Sequence, residues 1–309
     1  MPAMDTIKGF LLGAYWRRTF LSTDTATAFL SAIGLFWLLT EILSFIVETW
    51  KGPLQSAWPY FLGVSALYTV WCRRPVIYRC ERLDGTDIRI EIRIADIFSV
   101  KAAYVISTNT SFDTTVDERL ISSQSLQGAF TEKFYDKSEY LDRDLEHALQ
   151  HEIAIGERQS KVGGKSKLYA IGTAAKVTPK GRTTYLLAIS QLNEHGVAES
   201  SFESVRTALA SLWSFVSSKG GYDTLAIPVL GTGHGRINTP RDMVIKEIIR
   251  SFVAACSERK FASKLTVVVS PKDYHDNEPD IYELGDFLKY ACRYTEITPP
   301  KRGLGTAIG

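Results

Sequence analysis

Residues 222–236 read YDTLAIPVLGTGHGR. Tyr222–Val229 is a short apolar run of strand type, and it enters Leu230-Gly231-Thr232-Gly233-His234-Gly235-Arg236, with glycine at every second position from 231. Alternating glycines let successive backbone N–H groups turn inward as an anion nest, and Thr239-Pro240 then opens a predicted helix over Arg241–Cys256. Strand, glycine turn and helix start predict an α/β sheet whose loop takes a diphosphate. Arg236 either forks onto phosphate or faces water, and His234 either touches the ligand or is merely exposed. No Gly-Lys-Ser/Thr closes the loop, so nucleotide hydrolysis of the Walker kind is not expected.

Outward from this stretch, strands are predicted at Ile88–Ile94 (IRIEIRI), Ala102–Ser107, Leu168–Ile171, Thr183–Ile189 and Lys264–Val269 (KLTVVV). Helical spacing marks residues 116–150, Glu199–Ser218 and the neighbourhood of Asp280–Tyr290. The alternation predicts a mostly parallel sheet between helices, with ligands at the carboxyl ends of the strands. Three such ends are chemically distinctive: Thr108–Thr114, Leu230–Arg236 and Ser270–Tyr274. Residues 160–167 read as a solvated loop and 294–309 as a flexible tail.

The whole chain has 309 residues, 45% hydrophobic and 23% charged, with a net charge of +2. That suits about two domains and excludes collagen, a disordered polyelectrolyte or a strongly basic nucleic-acid binder. The apolar excess is concentrated near the start. Residues 26–47 carry Glu41 as their one charge, and residues 54–72 carry none, with Trp and Tyr near the ends. Both are expected to span a membrane as a hairpin. Lys8, Arg17 and Arg18 before the pair, and Arg73, Arg74, Arg79 and Arg82 after it, place both termini in the cytoplasm by the positive-inside rule. The expected location is therefore the cell's inner (plasma) membrane, multi-pass. Residues 1–24 form a cytoplasmic segment, with amphipathic spacing over 7–20. Glu41 reads as a pore lining or inter-helix contact, or as a group near the headgroups. Domain bounds are then 1–24, 25–74, 75–293 and 294–309.

Four cysteines (Cys72, Cys80, Cys256, Cys292) lack disulfide or metal spacing, which suits a reducing compartment. His147 and His151 fall four apart, but Ala148 stands where a zincin has glutamate, so they read as a solvated face and no metal is expected. No nucleophile elbow is present.

The segments Ala95-Asp96-Ile97, Val105–Asn109 and Pro228–Gly233, in this order, resemble the macro domain, an ADP-ribose-binding module. The resemblance covers roughly residues 86–292. It implies that Asp96 bonds the adenine amino group, that Gly231 to Gly235 wrap the diphosphate and distal ribose, and that Tyr274 stacks on adenine. Asn109–Thr114, Tyr169–Thr173 and Tyr185–Ser190, behind a membrane anchor, are similar to the macro domain of Thoeris anti-phage effectors.

That similarity implies a macro-like three-layer α/β/α domain with a mixed, mostly parallel sheet, carried on a two-helix transmembrane hairpin. It implies a messenger derived from ADP-ribose, made from NAD by a partner TIR enzyme, that drives homo-oligomerisation and membrane disruption. The implied ligand-binding residues are Asp96, Asn109, Thr110, Phe112, Gln127, Gly128, Leu230, Gly231, Thr232, Gly233, His234, Gly235, Arg236 and Tyr274. No cofactor, metal or nucleic-acid partner is implied. The Asn-Ala-Ala-Asn and triple-glycine pattern of macro-domain hydrolases is replaced here by Ser107-Thr108-Asn109-Thr110 and Ser125-Leu126-Gln127-Gly128, which favours binding over catalysis. A membrane-tethered ADP-ribosyl hydrolase is the alternative expectation.

Overall fold

Isoleucine at every second position of residues 88–94 gives that strand an apolar period of two, while strands such as 264–269 are continuous apolar runs buried on both faces. The computed structural model describes residues 22–73, 76–117, 120–158, 164–192, 198–231, 237–277 and 279–294. The chain divides into two units, one of residues 1–77 with 274–278 and one of residues 78–273 with 279–309.

In the first unit, α1 (Thr23–Ile46) is capped by Ser22, whose hydroxyl accepts the Thr25 N–H at 3.3 Å. Its 24 residues rise about 36 Å, more than a hydrocarbon core requires. Among the described residues it is the one helix long and apolar enough to cross a membrane. A turn at Glu48–Trp50 leads into α2 (Lys51–Ser56) and α3 (Trp58–Cys72). The expected second span at 54–72 is thus divided: helix α2 stops at Ser56, and Pro59 opens a new helix after Ala57. The 15 residues of α3 rise only about 22 Å, short of a bilayer core. Helix lengths therefore support one crossing and do not establish the hairpin. Phe36 of α1 stacks on Phe61 of α3 with centroids 6.0 Å apart. The expected amphipathic spacing over 7–20 lies outside the described residues.

In the second unit the strands are β1 (Tyr78–Arg82), β2 (Arg89–Ile94), β3 (Ala103–Asn109), the pair β4 (Gly156–Glu157) and β5 (Lys167–Leu168), β6 (Ala174–Val177), β7 (Thr184–Leu192), β8 (Ala198–Glu199), β9 (Thr224–Pro228) and β10 (Lys264–Val269). The main sheet runs β1-β2-β10-β9-β3-β7-β6, with β8 beside β7. Its five central strands are parallel, while β1, β6 and β8 are antiparallel additions. The helices are α4 (Leu126–Phe134), α5 (Ser138–Ala148), α6 (Phe202–Lys219), α7 (Arg241–Glu258), α8 (Pro271–Asn277) and α9 (Ile281–Tyr294).

One face of the sheet packs Tyr104, Ile106, Leu186 and Ala188 against Phe130 of α4 and Leu141 and Leu145 of α5. The alternate residues point the other way, where Tyr185 meets Phe215 of α6 edge-on at 6.2 Å. There Trp213 packs on Phe252 of α7 and donates its indole N–H to Ser251 at 2.9 Å. The result is three layers with a mixed, mostly parallel sheet.

Several local expectations are corrected. Leu168–Ile171 is not a strand beyond Leu168; the longer strand is β6, which starts at Ala174, where Ala174 and Ala175 are small enough to lie under the helices. Helical spacing over 116–150 resolves into α4 and α5 only. Helix α5 ends at Ala148, so His151 is not one helical turn beyond His147 on a common face. Strand β1 escapes the pattern because charged residues dominate it. On β2 the alternation also fails at Glu91, which is fully buried; Arg93, at 2.5 Å, and Lys264 neutralise it.

Candidate functional site

Parallel pairing aligns the carboxyl ends of β2, β10, β9, β3 and β7 on one edge of the sheet. Strands β3 and β9 are neighbours, yet the chain leaves their carboxyl ends toward opposite faces. After β3 it goes to α4 and α5, and after β9 it goes to α7, beside α6. A crevice at such a switch point is where open α/β sheets hold ligands. The described sequence between these two strand ends and the helices is therefore the candidate site.

On the β3 side, pairing with β7 slips by one residue between Thr108 and Asn109. Asn109, just past the slip, is buried. Its amide N–H₂ donates to the Asp113 carboxylate at 3.0 Å, while its carbonyl oxygen accepts the backbone N–H groups of Ser111 (3.1 Å) and Asp113 (3.2 Å). Thr110 is buried and donates its N–H to the Ser190 carbonyl at 2.8 Å. Phe112, at φ +52°, is fully enclosed and meets Tyr169 edge-on at 5.6 Å. Its ring thus belongs to the core and presents no surface to a ligand here.

Asp113 is the centre of this loop, and sequence reasoning did not single it out. Its carboxylate is 1% exposed. It accepts from Asn109, from the Lys165 N–H at 2.7 Å and from Arg158 at 3.5 Å. Its own carbonyl accepts the side-chain N–H of Gln127 at 2.7 Å. Alongside, Asp142 binds the Lys165 ammonium and the Thr114 hydroxyl, each at 2.5 Å. Gly164, at φ +94°, passes so close that a Cβ would lie 2.6 Å from Asp113 Oδ1. The partners come from 45 and 52 residues away, so no local spacing announces them. Two hydroxyls of the same loop region, Thr108 Oγ1 and Ser111 Oγ, are buried without a hydrogen-bond partner.

Gln127 and Gly128 form the first turn of α4, which Ser125 caps by accepting the Gly128 N–H at 2.9 Å. A Cβ on Gly128 would stand 2.4 Å from the Ser122 carbonyl oxygen and 3.1 Å from Ser123 Cα, both backbone. We expect Gly128→Ala to lose about 1–3 kcal/mol in urea unfolding through this overpacking. An unchanged midpoint would refute the close approach.

On the β9 side, Leu230 is fully buried and Gly231 turns at φ +70°. The Gly231 carbonyl accepts the Ile237 N–H at 3.2 Å, which ties the two ends of the intervening loop together. Thr232, Gly233, His234, Gly235 and Arg236 lie outside the described residues. Asp96, at the end of β2, is exposed and caps a short turn by accepting the Phe98 N–H at 3.0 Å. From β2 to β3 is three strand spacings, roughly 14 Å, so an elongated ligand would be needed to reach from Asp96 to Asn109. Tyr274 stands on α8, in the stretch 274–278 that groups with the first unit. The thiols of Cys256 and Cys292 are pushed up to about 12 by burial, so both stay protonated and inert at neutral pH. No group of metal-ligating side chains occurs among the described residues.

A family model described as the macro domain of Thoeris protein ThsA matches residues 90–270. Thoeris protein ThsA of Bacillus amyloliquefaciens (strain Y2) is 25% identical over 215 residues, which cover 67% of this chain and 69% of that protein. Among solved structures, the Oceanobacillus iheyensis macrodomain with ADP matches with a TM-score of 0.46 and 14% identity, covering 69% of this chain and 96% of that one. The Trypanosoma brucei macrodomain in complex with ADP-ribose matches with a TM-score of 0.40 and 10% identity, covering 64% and 67%.

Proposed function

The chain belongs to the macro-domain family of Thoeris protein ThsA, and from that membership we propose that its crevice binds a nucleotide built on ADP-ribose and that the protein acts as a membrane-anchored effector of anti-phage defence. The observation that carries the binding reading is the switch point between β3 and β9, with a positive-φ glycine at its lip. Backbone N–H groups at Gly231 and beyond would receive the diphosphate, and the next helix, α7, contributes its positive end. Asp96 would take the adenine amino group. Tyr274 is the proposed stacking ring. Asn109 and Gln127 would act mainly by holding the Asp113 loop in shape, since their amides are already engaged with it.

Helix α1 supports the anchor. In this reading a TIR partner makes the messenger from NAD, and the messenger favours an arrangement of the cytoplasmic units in which chains associate and the bilayer is breached. The ligand would shift that equilibrium only as far as its affinities for the two arrangements differ. Anchoring raises the local concentration of the chains, so modest contacts suffice.

The test is calorimetric titration of the full chain in detergent with ADP-ribose and its conjugates, followed by light scattering of the saturated protein. We expect a saturable heat with a dissociation constant near micromolar, a binding free energy of about −8 kcal/mol, and a larger particle once the messenger is bound. No heat with any ADP-ribose-bearing nucleotide would remove the binding reading. Turnover of an ADP-ribosylated substrate would replace it with the hydrolase.

A further inference from the structure

We propose that a cavity in the N-terminal unit is a seat for the primary ammonium of a phospholipid headgroup, a site separate from the nucleotide crevice. The cavity holds about 300 Å³ and is lined by Trp37, Thr40, Glu41, Ser44, Leu54, Trp58 and Phe61. That volume is at the small end of ligand sites and far exceeds a bare inorganic cation.

Its chemistry is one-sided. Glu41 makes no ion pair among the described residues and offers two carboxylate oxygens. The Thr40 hydroxyl donates its proton to the Phe36 carbonyl at 2.7 Å, and the Ser44 hydroxyl donates to the Glu41 carbonyl at 2.9 Å. Both hydroxyl oxygens therefore keep only acceptor capacity. Trp37, Trp58 and Phe61 contribute π systems, which attract cations through their negative faces. A carboxylate, two accepting hydroxyls and three aromatic rings select a cation with N–H donors.

Position selects the carrier of that cation. Glu41 is five residues from the end of α1, about 7.5 Å along the axis, which puts it near headgroup depth if α1 spans the bilayer. Around the cavity the helices expose Trp37, Leu38, Trp58 and Tyr60, side chains suited to acyl chains and the interface. The occupant that fits both the acceptor lining and the apolar surround is an aminophospholipid such as phosphatidylethanolamine. This inference rests on the membrane reading of α1.

The experiment uses the full chain purified in detergent and native mass spectrometry with added phosphatidylethanolamine, phosphatidylglycerol or phosphatidylcholine. We expect phosphatidylethanolamine to be retained about fivefold or more over phosphatidylglycerol, with the preference lost in Glu41→Gln and reduced in Trp58→Leu. Equal retention of the lipids, or an undiminished preference in Glu41→Gln, overturns the site. Free ethanolamine competing as well as the lipid overturns the lipid as occupant. Carbonate extraction of native membranes is run in parallel. A chain that resists extraction but shows no lipid preference refutes the seat alone, whereas an extractable chain refutes the membrane reading and the seat together.

Discussion

Asp113→Ala is expected to destabilise the sheet-bearing unit by about 3–5 kcal/mol, the usual result of removing one partner from a buried ion pair. In a unit of this size that corresponds to roughly 6–20 °C in the melting temperature. The substitution removes the acceptor of three donors at once: the Asn109 amide, the Lys165 N–H and the Arg158 guanidinium. Arg158, only 10% exposed, loses the carboxylate beside it. Asp113→Asn keeps the shape but not the charge, and we expect about half the loss. Because the pair is buried, raising the salt concentration changes little. Calorimetry of both variants, at low and high salt, checks these points. A loss below about 1 kcal/mol for the alanine variant would show that the loop is held by something other than this carboxylate.

Gly231→Ala is expected to weaken nucleotide binding by at least tenfold, about 1.4 kcal/mol, while leaving most of the fold intact. Two effects act together. At φ +70° any Cβ costs about 1–2 kcal/mol. That Cβ would also lie 2.0 Å from Ile237 Cδ1 and 2.9 Å from Cγ1. Relief requires Ile237 to move, and Ile237 is the residue whose N–H closes the loop on the Gly231 carbonyl. The loop ends at Gly231 and Ile237, which flank the proposed diphosphate seat, would therefore be displaced together. Titration with ADP-ribose, beside a thermal melt, separates the loss of binding from general unfolding. Unchanged affinity would show that the diphosphate does not lie on this glycine.

The layers of the fold were legible because β3, β7, β9 and β10 are runs of small and branched apolar residues, which period and length betray. Their ends were legible too, since Gly231 and the small polar residues after Asn109 have no use inside a strand. Strand β1 was not, because its residues Arg79, Glu81 and Arg82 belong to an edge and carry no apolar period. The second membrane run looked continuous since hydropathy does not register Pro59 as the start of a new helix. Asp113 was hidden for a different reason. Its value depends on Arg158 and Lys165, which only the folded chain brings beside it. Phe112, one of the implied ligand-binding residues, differs in the opposite sense: it sits at φ +52° with its ring enclosed in the core.

The pairing of Ala103 with Leu225 has a bearing on how the protein is born, since those residues are about 120 positions apart. At ribosomal speeds of about 5–20 residues per second, one wall waits roughly 6–24 s for the other to be synthesised. Helix α1 leaves the ribosome well before either wall. A nascent chain thus completes its N-terminal helix while the middle of its sheet is still open, and the β3–β9 switch point takes shape only when the last third of the polypeptide folds back.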